Sequence, residues 1–277
     1  MKTATIAIIG GGNMGASLAG GLIADGYPAD KIWMTDISEE RLTTLQQRFN
    51  VNTTTDNKDA IKSAEIIILC TKPQVLHKIT AEFAPLIQTQ KPLVISIAAG
   101  IRESSLQQWL GGNIAIVRAM PNTPALIGCG ATALFANAFV TPEQSNTAES
   151  ILRAVGLIVW LQDEKLMDVV TGLSGSGPAY FFLIMDVMQQ AGEQMGLTKD
   201  VSRLLTLQTA FGAARMALES SETLTELRKQ VTSPGGTTEQ GIRIMEEANI
   251  QRILADTVKA AKIRSEELAR MFESTES

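Results

Sequence analysis

The chain has 277 residues, 45% of them hydrophobic and 19% charged, the composition of an ordinary globular protein with room for about two domains. Its formal net charge of −5, with no stripe of Lys and Arg, argues against a nucleic-acid partner. Two cysteines, Cys70 and Cys129, have no paired spacing, which excludes a disulfide scaffold or a Cys-based zinc site and suits a reducing compartment.

Lys2 followed by apolar residues has the look of a signal peptide, but Gly10, Gly11, Gly12 and Asn13 interrupt the run. A strand and a turn fit better. The Ile-rich stretch Ile6 to Ile9 predicts a first strand, and a helix is expected from Asn13 to Ala24. Between them Gly10, Gly12 and Gly15 fall at the spacing G-x-G-x-x-G. In a dinucleotide site the first glycine permits the tight turn and the second lets the backbone approach a pyrophosphate. The third lets helix and strand pack closely. The phosphates would sit on free N–H groups at the positive end of the helix.

Lys31 to Asp36 predicts a second strand ending in an acid, and Ser38 is the expected N-cap of the next helix. Leu42, Leu45 and Phe49 recur at helical spacing and should face a sheet. Asp36 lies 21 residues beyond Gly15, where an acid accepts hydrogen bonds from ribose hydroxyls and repels a 2′-phosphate. The competing reading is a solvated Asp that opens a turn, with Arg41 near enough in sequence to reach a phosphate.

A short helix is expected at Asn57. Three buried strands follow: Ala64 to Cys70, ending in Thr71-Lys72-Pro73; Leu93 to Ile97, ending in Ala98-Ala99-Gly100; and Ile114 to Met120, ending in Pro121-Asn122-Thr123-Pro124. Their apolar character and alternation with helices is the sequence form of a parallel sheet. Gly128 to Ala136 and Gly156 to Leu161 flank a helix from Pro142 to Val155 and bring the sheet to about seven or eight strands. Ligands of such sheets bind at the carboxyl ends of the strands.

Beyond about Asp163 the pattern is helical throughout: Glu164–Thr171, Pro178–Met195, Asp200–Glu219, Leu224–Val231, Thr238–Ala248 and Ile250–Phe272. The chain therefore divides into residues 1–162 and 163–277. Pro178 can open its helix because a first helical residue has no use for its N–H. That helix begins Pro178-Ala179-Tyr180-Phe181-Phe182-Leu183-Ile184, apolar nearly all round, and must be buried on several sides, in a bundle or against a second subunit. Its apolar run stops at Asp186, too short to cross a bilayer. No membrane association is expected, and a cytoplasmic protein is.

Two clusters of small residues stand before helices: Ser174-Gly175-Ser176-Gly177-Pro178-Ala179-Tyr180 and Ser233-Pro234-Gly235-Gly236-Thr237-Thr238. Each offers hydroxyls and backbone N–H groups to an anion such as a carboxylate, though each is also ordinary helix punctuation. His77 is the one histidine and belongs to a surface helix. No Ser/His/Asp set or metal-ligand spacing exists, and Lys is absent between Lys165 and Lys199. A ketone reductase must protonate a developing alkoxide. Reduction of a protonated imine makes no such demand, and a site of hydroxyls, amides and small residues is adequate for it.

At these residues the chain resembles the pyrroline-5-carboxylate reductases, along nearly its whole length. The match includes the glycine turn, Lys72-Pro73, Ser96-Ile97-Ala98-Ala99-Gly100 and Arg118-Ala119-Met120-Pro121-Asn122-Thr123-Pro124, besides the two clusters. The resemblance implies an α/β chain with an N-terminal Rossmann-like, doubly wound sheet, followed by an all-α dimerisation domain. It implies NAD(P)H-dependent reduction of (S)-1-pyrroline-5-carboxylate to L-proline, the last step of proline biosynthesis. It also implies a homodimer through the helical domain, with further assembly of dimers into rings up to a decamer.

By motif match, Gly10, Gly12, Asn13 and Met14 would hold the pyrophosphate. Thr35, Asp36, Asn57, Thr71, Lys72, Pro73, Ala98 and Ala99 would line the rest of the NADPH or NADH. Ser233, Gly235, Gly236, Thr237 and Thr238 would cradle the substrate carboxylate, supplied by the partner subunit, with Thr238 also near the imine nitrogen. Ser176 and Tyr180 would line the ring, and Glu164 and Gln230 would neighbour it; Thr238 and Ser176 are the expected catalytic pair.

One departure matters. Many relatives carry Ser, Thr or Asn-Arg where this chain has Asp36, so preference for NADPH does not carry over and NADH is expected to serve at least as well. Among alternatives, a β-hydroxyacid dehydrogenase needs a lysine that the first long helix of the helical half lacks. A six-membered cyclic imine acid differs from the five-membered one by pocket volume, which sequence does not give. A cofactor-binding protein without turnover is disfavoured by the intact Ser176, Thr238 and both clusters.

Overall fold

Four consecutive aliphatic residues, Ile6–Ile9, form β1 and are buried on both faces, as a strand covered by helices on either side must be. A computed structural model describes residues 3–274. In it β1 is followed by α1 (Asn13–Ala24), β2 (Ile32–Thr35), α2 (Glu39–Phe49), β3 (Asn52–Thr54), α3 (Asn57–Ile61) and β4 (Ile66–Leu69). Next come α4 (Pro73–Gln90), β5 (Leu93–Ser96), α5 (Glu103–Trp109), β6 (Ile116–Met120), β7 (Gly130–Ala136), α6 (Pro142–Arg153) and β8 (Gly156–Trp160).

The eight strands lie in the order β3-β2-β1-β4-β5-β6-β7-β8. The order reverses between β1 and β4, which makes their carboxyl ends a topological switch point. Register sharpens this: Ile9 is level with Thr35 on one side and Leu69 on the other, and Leu69 is level with Ser96. The loops that begin at Gly10, Asp36, Cys70 and Ile97 therefore leave the sheet side by side. Alternate residues of β1 feed two cores. Ile6 and Ile8 pack with Leu18 and Leu22 of α1, while Ala7 and Ile9 pack with Leu76, Phe83 and Ile87 of α4.

Three features depart from the sequence expectation. β7 runs antiparallel to β6, because the connection of residues 121–129, which contains a 3-10 turn (Thr123–Ile127), is too short to carry a crossover. β3 is a short polar strand at the sheet edge, Asn-Thr-Thr, without an apolar run to announce it. α5 buries Leu106 and Trp109 in a segment whose sequence pattern does not predict a helix.

After β8 come α7 (Leu166–Val170), a π-turn (Thr171–Gly175), α8 (Gly177–Gln194), α9 (Lys199–Glu219), α10 (Leu224–Gln230), α11 (Thr237–Glu247) and α12 (Ile250–Ser274). By contacts the described residues form two units, 3–176 with 259–274, and 177–258. The strands end near 162, as the sequence pattern does, but α7 and the π-turn remain bound to the sheet-bearing unit by buried polar contacts. Asp168 accepts from Arg102 (2.8 Å) and from Ser265 of α12 (2.7 Å), and Arg118 of β6 pairs with Glu164 (2.5 Å). In the second unit α8 and α9 lie close. Ser202 Oγ donates to the Gln189 carbonyl (2.7 Å), and a Cβ on Gly192 would stand 2.3 Å from that hydroxyl. Among the described residues no helix is long and apolar enough to cross a membrane.

Candidate active site

The switch-point loops are built for a close visitor. Gly10 has φ +113°, a conformation that favours glycine, and a Cβ there would stand 2.8 Å from the Cys70 carbonyl oxygen. A Cβ on Gly15 would lie 2.2 Å from the Gly10 carbonyl oxygen, so α1 can approach the turn only with glycine there. Gly12, by contrast, faces open space, with nothing within 4 Å of an added Cβ. The N–H of Gly10 is spent on the Thr35 carbonyl at 3.0 Å, which pins the turn to β2.

Helix starts separate into two groups. α2, α3, α6, α9 and α10 are capped by the side chains of Ser38, Asp56, Thr141, Thr198 and Thr223. Among the described residues, α1, α4 and α11 open instead on Gly12, Lys72 and Gly236 with no capping side chain; the short α5 and α7 also lack an N-cap side chain, but the first N–H of α5 is taken by Glu164. The first N–H groups of α1, α4 and α11 are left for water or a ligand. Thr71, beside the glycine turn, has a buried hydroxyl with no hydrogen-bond partner among the described residues. Within the first unit, the open glycine cradle, the uncapped starts of α1 and α4 and the orphaned Thr71 hydroxyl at one sheet edge fit a bound dinucleotide.

The expected cofactor residues of the first unit are brought together here, with two refinements. Asp36 does not point into solvent: its side chain is 8% exposed. It accepts from the N–H of Gly11 (3.1 Å), the N–H of Ser38 (3.0 Å) and Arg41 Nη1 (3.0 Å). It braces the glycine turn as well as closing β2, while Ser38 caps α2 by accepting from the Arg41 N–H. Thr35 is buried and donates to Asn57 Oδ1 at 2.7 Å, so it holds the Asn57 side chain in place. Pro73 is the first residue of α4, and Ala98 and Ala99 form the loop after β5. Asn13 and Met14 open α1, and Ile37, next to Asp36, is 97% exposed. Neither periodicity nor motif signals Ile37.

Of the expected substrate residues, Glu164 and Ser176 lie in the first unit. Glu164 Oε1 accepts from Arg118 Nη1 (2.5 Å) and the Glu103 N–H (2.6 Å), which makes it the half-buried end of an ion pair whose guanidinium is buried. Burial lowers the pKa of Arg118, and the facing Glu164 carboxylate works against that shift; the guanidinium stays charged. Ser176 is half-buried at the end of the π-turn, its N–H donating to the Thr171 carbonyl at 2.8 Å. Burial pushes the Cys70 thiol pKa up, so that cysteine is inert at neutral pH. His77 is exposed on α4 and stacks on Trp109, ring centroids 4.9 Å apart.

Tyr180, Gln230, Ser233, Gly235, Gly236, Thr237 and Thr238 lie in the second unit. Tyr180 is in the first turn of α8, and Gln230 closes α10 with its amide donating to Glu222. The loop before α11 is shaped by Gly235 at φ +73° and by the Gly236 N–H donating to the Ser233 carbonyl (3.0 Å). Glu239 reaches back to accept from the Gly235 N–H at 2.8 Å. Thr237 and Thr238 begin α11 and are exposed.

Residues 164–268 match the family model described as pyrroline-5-carboxylate reductase dimerisation, and residues 5–100 match that described as NADP oxidoreductase, coenzyme F420-dependent. The pyrroline-5-carboxylate reductase of Pseudomonas aeruginosa is 45% identical over 98% of this chain and 99% of its own length. That of Vibrio alginolyticus is 41% identical over 98% and 100%. The solved reductase of Coxiella burnetii superposes with TM-score 0.93 at 45% identity, covering 97% of this chain and 99% of its own. That of Plasmodium falciparum, solved with NADP bound, superposes with TM-score 0.86 at 28% identity over 97% and 99%.

Proposed function

The chain belongs to the pyrroline-5-carboxylate reductase family, and from that premise we propose roles for its individual residues. The enzyme is an oligomeric oxidoreductase that uses NAD(P)H to reduce (S)-1-pyrroline-5-carboxylate to L-proline, the closing step of proline biosynthesis. The observation that carries this is end-to-end identity of 45% with a named reductase.

The uncapped start of α1 and the turn Gly10 to Met14 hold the pyrophosphate. Asn57, Thr71, Lys72, Pro73, Ala98 and Ala99 surround the remainder of the cofactor, with Thr35 holding Asn57. When bound, the reduced nicotinamide supplies a hydride. The substrate nitrogen already carries its proton, so the iminium charge is quenched as the new C–H bond forms and no side chain need act as an acid. The protein's task is orientation. The start of α11, with Ser233, Gly235, Gly236 and the hydroxyls of Thr237 and Thr238, holds the carboxylate, and Thr238 also fixes the ring nitrogen. Ser176 and Tyr180 line the ring, with Gln230 and Glu164 behind it.

Residues 163–277 act as the dimerisation and substrate domain, and the carboxylate cradle is supplied by a partner copy. Further assembly of dimers into a decamer, and a cytoplasmic place of work, belong to the same proposal. Asp36 leans the enzyme toward NADH, because its carboxylate stands where a 2′-phosphate would, although Arg41 at 3.0 Å softens that repulsion. Loss of NAD(P)H absorbance on addition of pyrroline-5-carboxylate tests the activity, and binding of cofactor without turnover would overturn it. Rates with NADH and NADPH at equal concentration test the lean; a large preference for NADPH sinks it.

A further inference from the structure

Alternate residues of a strand share a face, and on β6 that face includes Arg118 and Met120, with Asn122 just beyond the strand. All three meet one segment. Arg118 pairs with Glu164 at 2.5 Å. Met120 Cε is the atom a Cβ on Gly175 would strike, at 2.6 Å. Asn122 Nδ2 donates to the Ser174 carbonyl at 3.0 Å, while its Oδ1 accepts from the Ala131 N–H of β7 at 2.9 Å. One side-chain amide thus ties the sheet to the π-turn.

The Ser174 carbonyl has need of an outside donor. In an α-helical ladder it would accept from the N–H four residues on, and that residue is Pro178, which has none. The hydroxyls of the turn are already engaged with their own helix, Thr171 on the Met167 carbonyl (2.8 Å) and Ser174 on the Val170 carbonyl (3.2 Å). Single π-turns of this kind are common at functional sites.

We propose that Asn122 is a positioning residue for imine reduction: by bonding the Ser174 carbonyl it fixes the end of the π-turn and so the hydroxyl of Ser176. The inference rests on the reading of Ser176 as a residue that lines the substrate ring. Asn122 touches neither substrate nor cofactor in this role; it acts through the turn.

Asn122→Asp isolates the bond. Ionised, the new carboxylate can still accept from the Ala131 N–H but cannot donate to the Ser174 carbonyl; protonated, it can donate again. At alkaline pH the variant should lose about ten- to a hundredfold in kcat/KM for pyrroline-5-carboxylate, with its dissociation constants for NADH and NADPH unchanged. Divided by the unsubstituted enzyme's value at each pH, kcat/KM should recover as the pH falls into the carboxylate range. A ratio flat with pH, or a parallel loss of cofactor affinity, overturns the proposal. If Asn122→Asp is isolated unfolded, Asn122→Ser must show the same loss with normal cofactor binding; normal kinetics overturn it.

Ser176→Ala, alone and combined, separates the two readings. Slow Ser176→Ala with normal Asn122→Asp refutes the positioning role alone, and normal Ser176→Ala refutes the reading of Ser176. If both single variants are slow, the pair should be little worse than Ser176→Ala; multiplicative losses count against the proposal.

Discussion

The first unit seals two cores of large aliphatic side chains, whereas the second wears most of its own outside. Ile6, Ile8, Ile68, Leu76 and Phe83 are essentially sealed, in two cores that the sheet separates. On α8 and α9, Phe181 is 66% exposed, Phe182 63%, Leu204 63% and Phe211 59%. Burying a side chain of this size contributes about 1.5–3 kcal/mol, so a surface of this kind is a core waiting for its other half. A unit with a finished core can fold around its own sequence. A unit without one depends on another copy, and its stability then varies with protein concentration.

The largest expected effect follows from charging that surface. Phe182→Glu should abolish association in analytical ultracentrifugation and remove turnover, while cofactor binding, which uses the first unit, survives. A dimer with full activity would break the contrast between the units. Next comes the first unit's own stability. Arg118→Met leaves the Glu164 carboxylate with only the Glu103 N–H and should cost about 1–3 kcal/mol, read as a lowered denaturation midpoint; an unchanged midpoint would mean that the pair contributes nothing to the unit's stability. Thr238→Ala should lower turnover about tenfold, the worth of one hydrogen bond, and weaken imine binding with cofactor affinity untouched. Equal kinetics would refute its role. The smallest shift is Asp36→Ser, expected to move the NADPH to NADH rate ratio a few-fold toward NADPH. It should also weaken binding of both cofactors slightly, because Gly11 loses its acceptor; a ratio that stays put would show that Asp36 only braces the turn.

The fold was largely legible because the first unit repeats a simple grammar: an aliphatic run, a small-residue loop, an amphipathic helix. β1, β4 and β5 carry that signal in four residues each. β3 lacks it because a polar edge strand is held by its neighbour and contributes no core of its own. The reversal at β7 depends on loop length and pairing, which periodicity does not encode. For the candidate site, the glycine turn was legible since backbone geometry restricts residue choice there. Arg118 was not. Its partner Glu164 is 46 residues away, and Glu164, seen alone, suggests a substrate contact. In sequence Asp36 is legible as a charge, whereas its bond to Gly11 depends on two loops meeting. The starts of α1 and α11 are visible as glycine clusters, but the absence of caps at α1, α4 and α11 depends on where side chains lie in space.

The last helix also sets a timetable. α12 returns to the first unit, where Ser265 bonds Asp168 across 97 positions of sequence and Leu268, Ala269 and Phe272 surround Gly100. On the ribosome, the sheet is translated early, yet the wall behind the Ala98-Ala99-Gly100 loop arrives only with α12. Until then that loop has no backing, so a chain that stops short of α12 would carry a finished sheet beside an unsupported loop.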